Sequence, residues 1–277
     1  AELTAATADE KRREDAVAEV DGPDGRSHGF DDSHGFVTDA QGHKYSKSSQ
    51  NFEPPEKMLS EYGAEVLRLW VASVDYTGDV ALSGEILERT ADAYRKIRNT
   101  FRFMLGNLQD FDPVDDALDY DELREIDRWI LHRTSEVVAE IEQAYEDCEF
   151  KKVYQVLNEF ATVDLSNIYM DVLKDRLYCE PTDSRARRSG QTAYWRVLSA
   201  LVRAAAPILS FTAEEAWSHL PKGPKSDRDS VFLSDFPTPP AHWRDAELDA
   251  RWEQLLDVRR KVQKALETER QGDEGIG

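Results

Sequence analysis

The sequence is poor in everything that would anchor a metal or a disulfide framework. Only two cysteines occur in 277 residues, Cys148 and Cys179, and they stand 31 positions apart. That spacing gives no Cys-x-x-Cys knuckle and no cross-linked scaffold, so no structural zinc is expected and a reducing cytoplasm is the expected setting. His34, His43 and His132 show no ligand spacing and read as isolated surface histidines. There is no run of about 18 apolar residues, which excludes a membrane-spanning helix, and the opening AELTAATADEKRRED lacks the apolar stretch of a secretion signal. Alternating apolar and polar residues of strand type are almost missing. Positive charge is also short: 35 Lys and Arg face 55 Asp and Glu, a net charge of −20. Spread evenly, that balance opposes a nucleic-acid partner, because phosphate binding needs clustered cations.

The charge is not spread evenly. Residues 1–33 carry ten acids and four bases, and Asp110 to Asp127 holds nine acids against one base, Arg124. Arg89 to Arg102 reverses the sign, with Arg89, Arg95, Lys96, Arg98 and Arg102 against Asp92 alone. A second basic group joins Lys174, Arg176, Arg185, Arg187 and Arg188. Each group is either a solvated helix face or a place for backbone phosphates.

Helical spacing dominates what is present. Met58, Leu59, Tyr62, Val66, Leu67, Trp70 and Val71 recur at three- and four-residue steps, the mark of one helix face. Pro54-Pro55 suits the entry, since a first turn leaves its N–H groups unpaired anyway. A helix from about Ser83 to Leu108 places Leu87, Thr90, Tyr94, Ile97, Phe101, Met104 and Leu108 on one stripe, until the acidic segment with Pro113 breaks it. Leu123 to Tyr145 reads as a third helix, Phe150 towards Tyr178 as a fourth, and the stretch after the Pro-Thr-Asp-Ser turn at 181–184 as a fifth, ended or kinked by Pro207. Thr212 and Glu215 have the spacing of a capping box. Val231-Phe232-Leu233 reads as one short strand in a linker, and Asp245 to Glu267 as a last amphipathic helix. Trp70, Trp129, Trp195 and Trp217 read as core residues rather than stacking platforms. The fold class is mainly α, an antiparallel helical bundle.

The most informative short string is Lys44-Tyr45-Ser46-Lys47-Ser48 after Gly42. Two mobile ammonium groups and two hydroxyls can hold phosphate oxygens, and a solvated polar loop would look the same. Its surroundings narrow the choice. His34-Gly-Phe-Val37, the lysine string, Tyr62-Gly-Ala-Glu-Val-Leu-Arg-Leu-Trp70 and Ala72-Ser-Val-Asp-Tyr-Thr-Gly-Asp79 follow one another at close range. Tyr94 to Leu108, Asp164 to Tyr178, Ala186-Arg-Arg-Ser189 and Ala206 to Glu215 continue the series. Together they resemble the signature lysine loop and anticodon-binding domain of the class I aminoacyl-tRNA synthetases, and within them the isoleucine-specific branch. The resemblance covers about residues 33–240. Three positions depart from it: Tyr45 stands where methionine is usual, and Ser49-Gln50 where Ile-Gly is usual, which removes backbone freedom.

The resemblance implies a bundle of the class I anticodon-binding type with a short remnant of the catalytic domain at its N-terminal side. Its parts would be an unmatched leader at 1–33, a signature-loop and stem-contact remnant at 34–82, the helical anticodon-binding domain at 83–222, and a linker with a C-terminal helix at 223–277. It implies ATP contacts for Lys44, Ser46, Lys47 and Ser48, with Lys47 in the position that stabilises the adenylation transition state. It implies tRNA contacts for Arg95, Lys96, Arg98, Arg102, Lys174, Arg176, Arg185, Arg187 and Arg188. ATP and Mg2+ serve the intact family; the His-x-x-His string, the βαβ nucleotide fold, the editing insertion and the zinc module of that family have no counterpart here. Asp75 and Asp79 fall in a turn and receive no acid–base role. No residue is assigned as catalytic, and the chain alone is expected to bind no ATP and to catalyse nothing, since one lysine loop cannot hold both reactants in attack geometry. The expected partner is tRNA(Ile), with a separate catalytic half as a further one, and neither DNA nor a membrane. A free-standing tRNA-binding module acting in trans, and an inactive helical interaction scaffold, stay open beside this reading.

Overall fold

Proline starts the first helix and glycine separates it from the next. In the computed structural model, which describes residues 35–46, 54–223 and 229–271, Pro55 sits in the first turn of α1 (Pro55–Tyr62), where its missing N–H costs no hydrogen bond. Gly63 then takes φ 82° and ψ 163° before α2 (Ala64–Ser73), a backbone region open in practice to glycine alone. This break corrects the single stripe expected from Met58 to Val71. Leu59 is 44% and Val71 55% exposed, because the helix restarts in a new phase after Gly63. Met58 and Trp70 pack with Leu82 and Leu87 in a small cluster, whereas Leu69 and Ala72 join the main core. Replacing Gly63 by Ala is expected to cost about 1–3 kcal/mol, read as a lower urea midpoint; an unchanged midpoint would mean the strain is absent.

A two-residue parallel pair, β1 (Val37–Thr38) with β2 (Val80–Ala81), is the only sheet among the described residues. It ties the segment before the lysine string to the entry of α3 (Gly84–Gly106). The turn between Thr38 and Lys44 is organised by Asp39, whose Oδ1 accepts the N–H groups of Gln41 at 3.0 Å and His43 at 2.9 Å. Gly42 completes it at φ 83°. Ser83 caps α3 by accepting the Ile86 N–H at 3.3 Å. The expected stripe on this helix is buried at Leu87, Thr90, Ile97, Phe101 and Met104.

Beyond a single 3-10 turn at Tyr120–Glu122, the acidic segment leads to α4 (Glu125–Glu146). Helical backbone then runs without interruption from α5 (Phe150–Glu159) through a π-helical segment (Phe160–Tyr169) into α6 (Met170–Cys179). The wider turn is lined by hydroxyls: Ser166 donates to the Ala161 carbonyl at 2.7 Å, and Thr100 on α3 lies 3.1 Å from Ser166. α7 (Arg185–Ala205) is capped by Ser184, and α8 (Ser210–His219) and α9 (Ala246–Gln271) complete the bundle. α4 packs against both α5 and α7, and α3 against α2 and α8. Trp129, Tyr169, Tyr194, Phe101 and Phe160 are the largest fully enclosed side chains. Trp70 and Trp217 are buried and Trp195 half-buried, as expected of core tryptophans. The fold is a mainly-α bundle.

Three local expectations are corrected. Val231–Leu233 is a 3-10 turn rather than a strand, held by Ser230 as its cap and by the Glu214 carboxylate on the Val231 N–H, with no strand among the described residues to pair it. Thr212 does not cap α8. That helix starts at Ser210, and its free N–H groups at Phe211 and Thr212 are taken at 3.1 and 3.4 Å by Glu65, reaching across from α2. Arg68, one turn further along α2, donates to the carbonyls of Pro207 and Ile208 at 2.7 and 2.8 Å. The Glu65 and Arg68 pair therefore clasps the break between α7 and α8 by its two opposite polarities. His132 is only 5% exposed rather than on the surface.

Burial also shapes the response to pH. The hydroxyls of Tyr145, Tyr169 and Tyr194 are pushed well above the ordinary tyrosine range, foremost by loss of solvent. Their neutral forms are favoured in the folded chain, so stability is complete below the unfolded value near pH 10 and falls as pH rises past it. Alkaline titration of the folding transition is expected to show this decline beginning at about pH 10; a flat profile to about pH 11 would contradict it.

Candidate nucleic-acid interface

Each of the nine cations expected to meet RNA has a definite place. Arg95, Lys96, Arg98 and Arg102 line the outward side of α3, opposite its buried stripe. Arg95 pairs with Asp92 one turn back, and Arg98 crosses to Glu215 on α8, with both carboxylate oxygens within 3.0 Å. The Arg98 charge is held above its ordinary range chiefly by that hydrogen bond. Lys96 and Arg102 are exposed, and their side chains make no hydrogen bond or ion pair among the described residues.

The second basic group is differently disposed. Arg176 has a side chain 12% exposed and gives two hydrogen bonds, at 2.8 and 2.9 Å, to Asp127, which is fully buried. Tyr169 donates to the same carboxylate at 2.7 Å, and Ser189 donates to it as well. Arg187 reaches Asp110 at 3.0 Å and Arg188 reaches Asp116 at 3.2 Å, with side chains only 15% and 14% exposed. Arg185 pairs with Glu122, and Lys174 with Asp171 at 2.9 Å. The acidic stretch and this basic group are thus each other's counterions: Asp110, Asp116, Glu122 and Asp127 hold Arg187, Arg188, Arg185 and Arg176 in turn. Arg176, Arg187 and Arg188 are thus largely enclosed, each against a carboxylate, whereas Lys174 and Arg185 stay exposed.

Two adjoining cavities lie between α3 and α8. One, of about 350 Å³, is lined by Glu65, Tyr94, Arg95, Asn99 and Phe211. The other, of about 740 Å³, is lined by Phe101, Arg102, Leu105, Gln109 and His219. Arg98, Thr212 and Glu215 border both, so the Arg98–Glu215 bridge straps a single cleft. Arg95 and Arg102 are seven residues apart, a run of about 10 Å along the helix. A larger groove of about 1270 Å³ runs between α9 and the π-helical segment, and its walls mix both signs, with Asp164, Asp171, Asp249 and Asp257 beside Arg133, Lys174, Arg259 and Arg260. Charge favours the first cleft for a polyanion. Phe211, Asn99 and Glu215 as a set were not legible as a site, since α3 and α8 are more than a hundred residues apart and Glu215 had the spacing of a cap.

The lysine string is partly within view. Lys44 lies with its ammonium 3.4 Å from the centre of the Phe36 ring, a cation–π contact, and Ser46 follows at the end of the turn. Lys47 and Ser48 lie outside the described residues. Asp75 accepts from Thr77, and Asp79 from the Phe36 N–H at 2.8 Å; both organise turns. His132, Glu136 and Asp249 come together as three groups that could bracket a cation. The Asp245 N–H donates to His132 Nδ1 at 2.9 Å. Its Nε2 faces Glu136 at 3.3 Å and Asp249 at 3.7 Å. The cluster fastens α9 to α4, beside the stacked rings of Trp129 and Trp252 at 5.0 Å.

Comparison with known proteins agrees with this architecture. Residues 127–274 match the family described as the anticodon-binding domain of tRNA ligase, and residues 32–83 match the class I tRNA synthetases (I, L, M and V). The chain is 50% identical over 238 residues to isoleucine–tRNA ligase of Syntrophotalea carbinolica, covering 86% of this chain and 25% of that protein. The isoleucine–tRNA ligase of Symbiobacterium thermophilum is also 50% identical over 238 residues, with the same coverage of 86% and 25%. The chain spans about a quarter of the length of these relatives. A solved ternary complex, LeuRS-tRNA-LeuAMS of Agrobacterium radiobacter K84, shares the fold with a TM-score of 0.56 at 20% identity, over 77% of this chain and 24% of that one. No helix among the described residues is long and apolar enough to cross a membrane. The chain belongs to the family of the anticodon-binding domain of tRNA ligase, matches the class I tRNA synthetases over residues 32–83, and resembles the isoleucine–tRNA ligases.

Proposed function

We propose that this chain is the tRNA-binding part of an isoleucine–tRNA ligase, that it holds tRNA(Ile) through the cleft between α3 and α8, and that it works in the cytoplasm. The observation that carries this reading is the cleft itself. It is a groove between two helices of the bundle, lined by Arg102, whose side chain has no acid partner among the described residues, while Lys96 is exposed on another side of the same helix. Arg95, Arg98 and Arg102 outnumber Glu65 and Glu215 along it, in a chain of net charge −20, and local positive charge steers and holds phosphate backbones.

Ligation belongs to a longer protein in this reading. ATP, Mg2+ and isoleucine would be held largely by parts beyond this chain, with Lys44 and Ser46, and the neighbouring Lys47 and Ser48, contributing from the signature loop. Purified chain is therefore expected to form no isoleucyl-adenylate, and an added catalytic half would restore ligation if the two act in trans.

The test is binding of the chain to tRNA(Ile) and to a non-cognate tRNA across a potassium chloride series. Affinity that falls steeply with salt, and is higher for tRNA(Ile), is the expected result. Absence of binding at low salt would overturn the reading and leave a helical scaffold.

A further inference from the structure

We infer that the smaller half of the α3–α8 cleft is a stacking site for one unpaired base of an RNA, with Phe211 as its platform. The inference rests on the RNA-binding reading above and goes further, since phosphate contacts alone would need no ring. Phe211 is 66% exposed in the first turn of α8. A lone exposed phenylalanine is ordinary on a surface, but this one is fixed in place and shares its cavity with Arg95 and Arg98 as well as Glu65 and Glu215. Its own N–H is held by the Glu65 carboxylate at 3.1 Å, which pins the backbone that carries the ring. It lines the 350 Å³ cavity together with Arg95, Arg98 and Asn99, and the unpartnered Arg102 lines the adjoining cavity.

Stacking on an aromatic face between guanidinium groups is the recurrent way in which proteins hold single-stranded nucleotides. The roughly 10 Å between Arg95 and Arg102 spans about three stacked nucleotides at 3.4 Å each. The Asn99 amide, at the cavity wall, offers both a donor and an acceptor to a base edge. A fully paired helix cannot present its bases to such a ring, so the ligand must contain an unpaired nucleotide. The same cleft could instead be covered by protein in a longer chain, an outcome that the following experiment separates.

The experiment compares the whole chain with its Phe211→Ala and Phe211→Trp variants. The probes are an RNA hairpin with 2-aminopurine in its single-stranded loop and a blunt RNA duplex of equal length. Because Phe211 is largely exposed, its replacement should leave the melting temperature unchanged, and this is checked first. Phe211→Ala should weaken hairpin binding roughly 5- to 150-fold while leaving duplex binding as it was. It should also abolish quenching of the 2-aminopurine, and Phe211→Trp should restore both. If the unaltered chain binds the hairpin and Phe211→Ala binds it equally well, the stacking site is overturned while the RNA-binding reading stands. Equal weakening for hairpin and duplex also overturns it. If the unaltered chain binds neither RNA, both readings fall together.

Discussion

Replacing Asp127 by Ala lowers the stability of the folded chain by about 3–5 kcal/mol, the cost typical of stripping one partner from a buried ion pair. Asp127 is wholly buried in the first turn of α4, where a carboxylate also meets the positive end of the helix. Its two oxygens receive four hydrogen bonds, two from Arg176, one from Tyr169 and one from Ser189. These donors come from α6, the π-helical segment and α7, so one side chain joins four stretches of helix. Without it the Arg176 guanidinium keeps its charge in a site that burial disfavours, with only the Ala186 carbonyl at 3.4 Å left to accept from it. Asp127→Asn should cost nearly as much, because the amide keeps the shape but not the charge. Urea unfolding measures this. A shift below about 1 kcal/mol would mean that Arg176 finds another partner and that the node is dispensable.

Lys96→Ala together with Arg102→Ala should weaken RNA binding on the order of tenfold and make the salt dependence shallower by roughly 1.5 in log–log slope. Two phosphate contacts are lost, each releasing close to one counterion. Neither side chain has an acid partner among the described residues, so the folded chain loses no ion pair and its stability should stay within about 0.5 kcal/mol. The contrast is with Arg187 and Arg188. Their replacement frees Asp110 and Asp116 and unties the acidic segment from α7, so it should lower stability and leave the salt slope alone. If the slope responded to Arg187 and Arg188 but not to Lys96 and Arg102, the assignment of the cleft would be wrong.

The difference between these two sets was hidden from the sequence for a definite reason. Clusters of basic residues are visible as charge, and both were singled out. What cancels a charge in the fold lies far away along the chain: Asp110 sits 77 residues before Arg187, and Glu215 sits 117 residues after Arg98. The nine-acid stretch looked like a spacer between helices, and its role as a counterion layer exists only once α7 is laid against it. Helix periodicity, by contrast, is local. The stripe from Leu87 to Met104 was legible because each residue is placed by its neighbours three and four positions away. Gly63 shows the limit of that locality, since a single residue at positive φ split what periodicity read as one helix. His132 shows another, because its burial depends on α9 returning to cover it. The signature segment was readable as a string, but its clasp on α8 through Glu65 and Arg68 was not.

The central claim is that RNA lies in the α3–α8 cleft and not across the Arg176 to Arg188 surface. Hydrogen exchange followed by mass spectrometry, with and without saturating tRNA(Ile), tests it most directly. Slowed exchange confined to residues 94–109 and 208–219, with none added at 172–191, is the predicted result. Protection at 172–191 with none at 94–109 would contradict it.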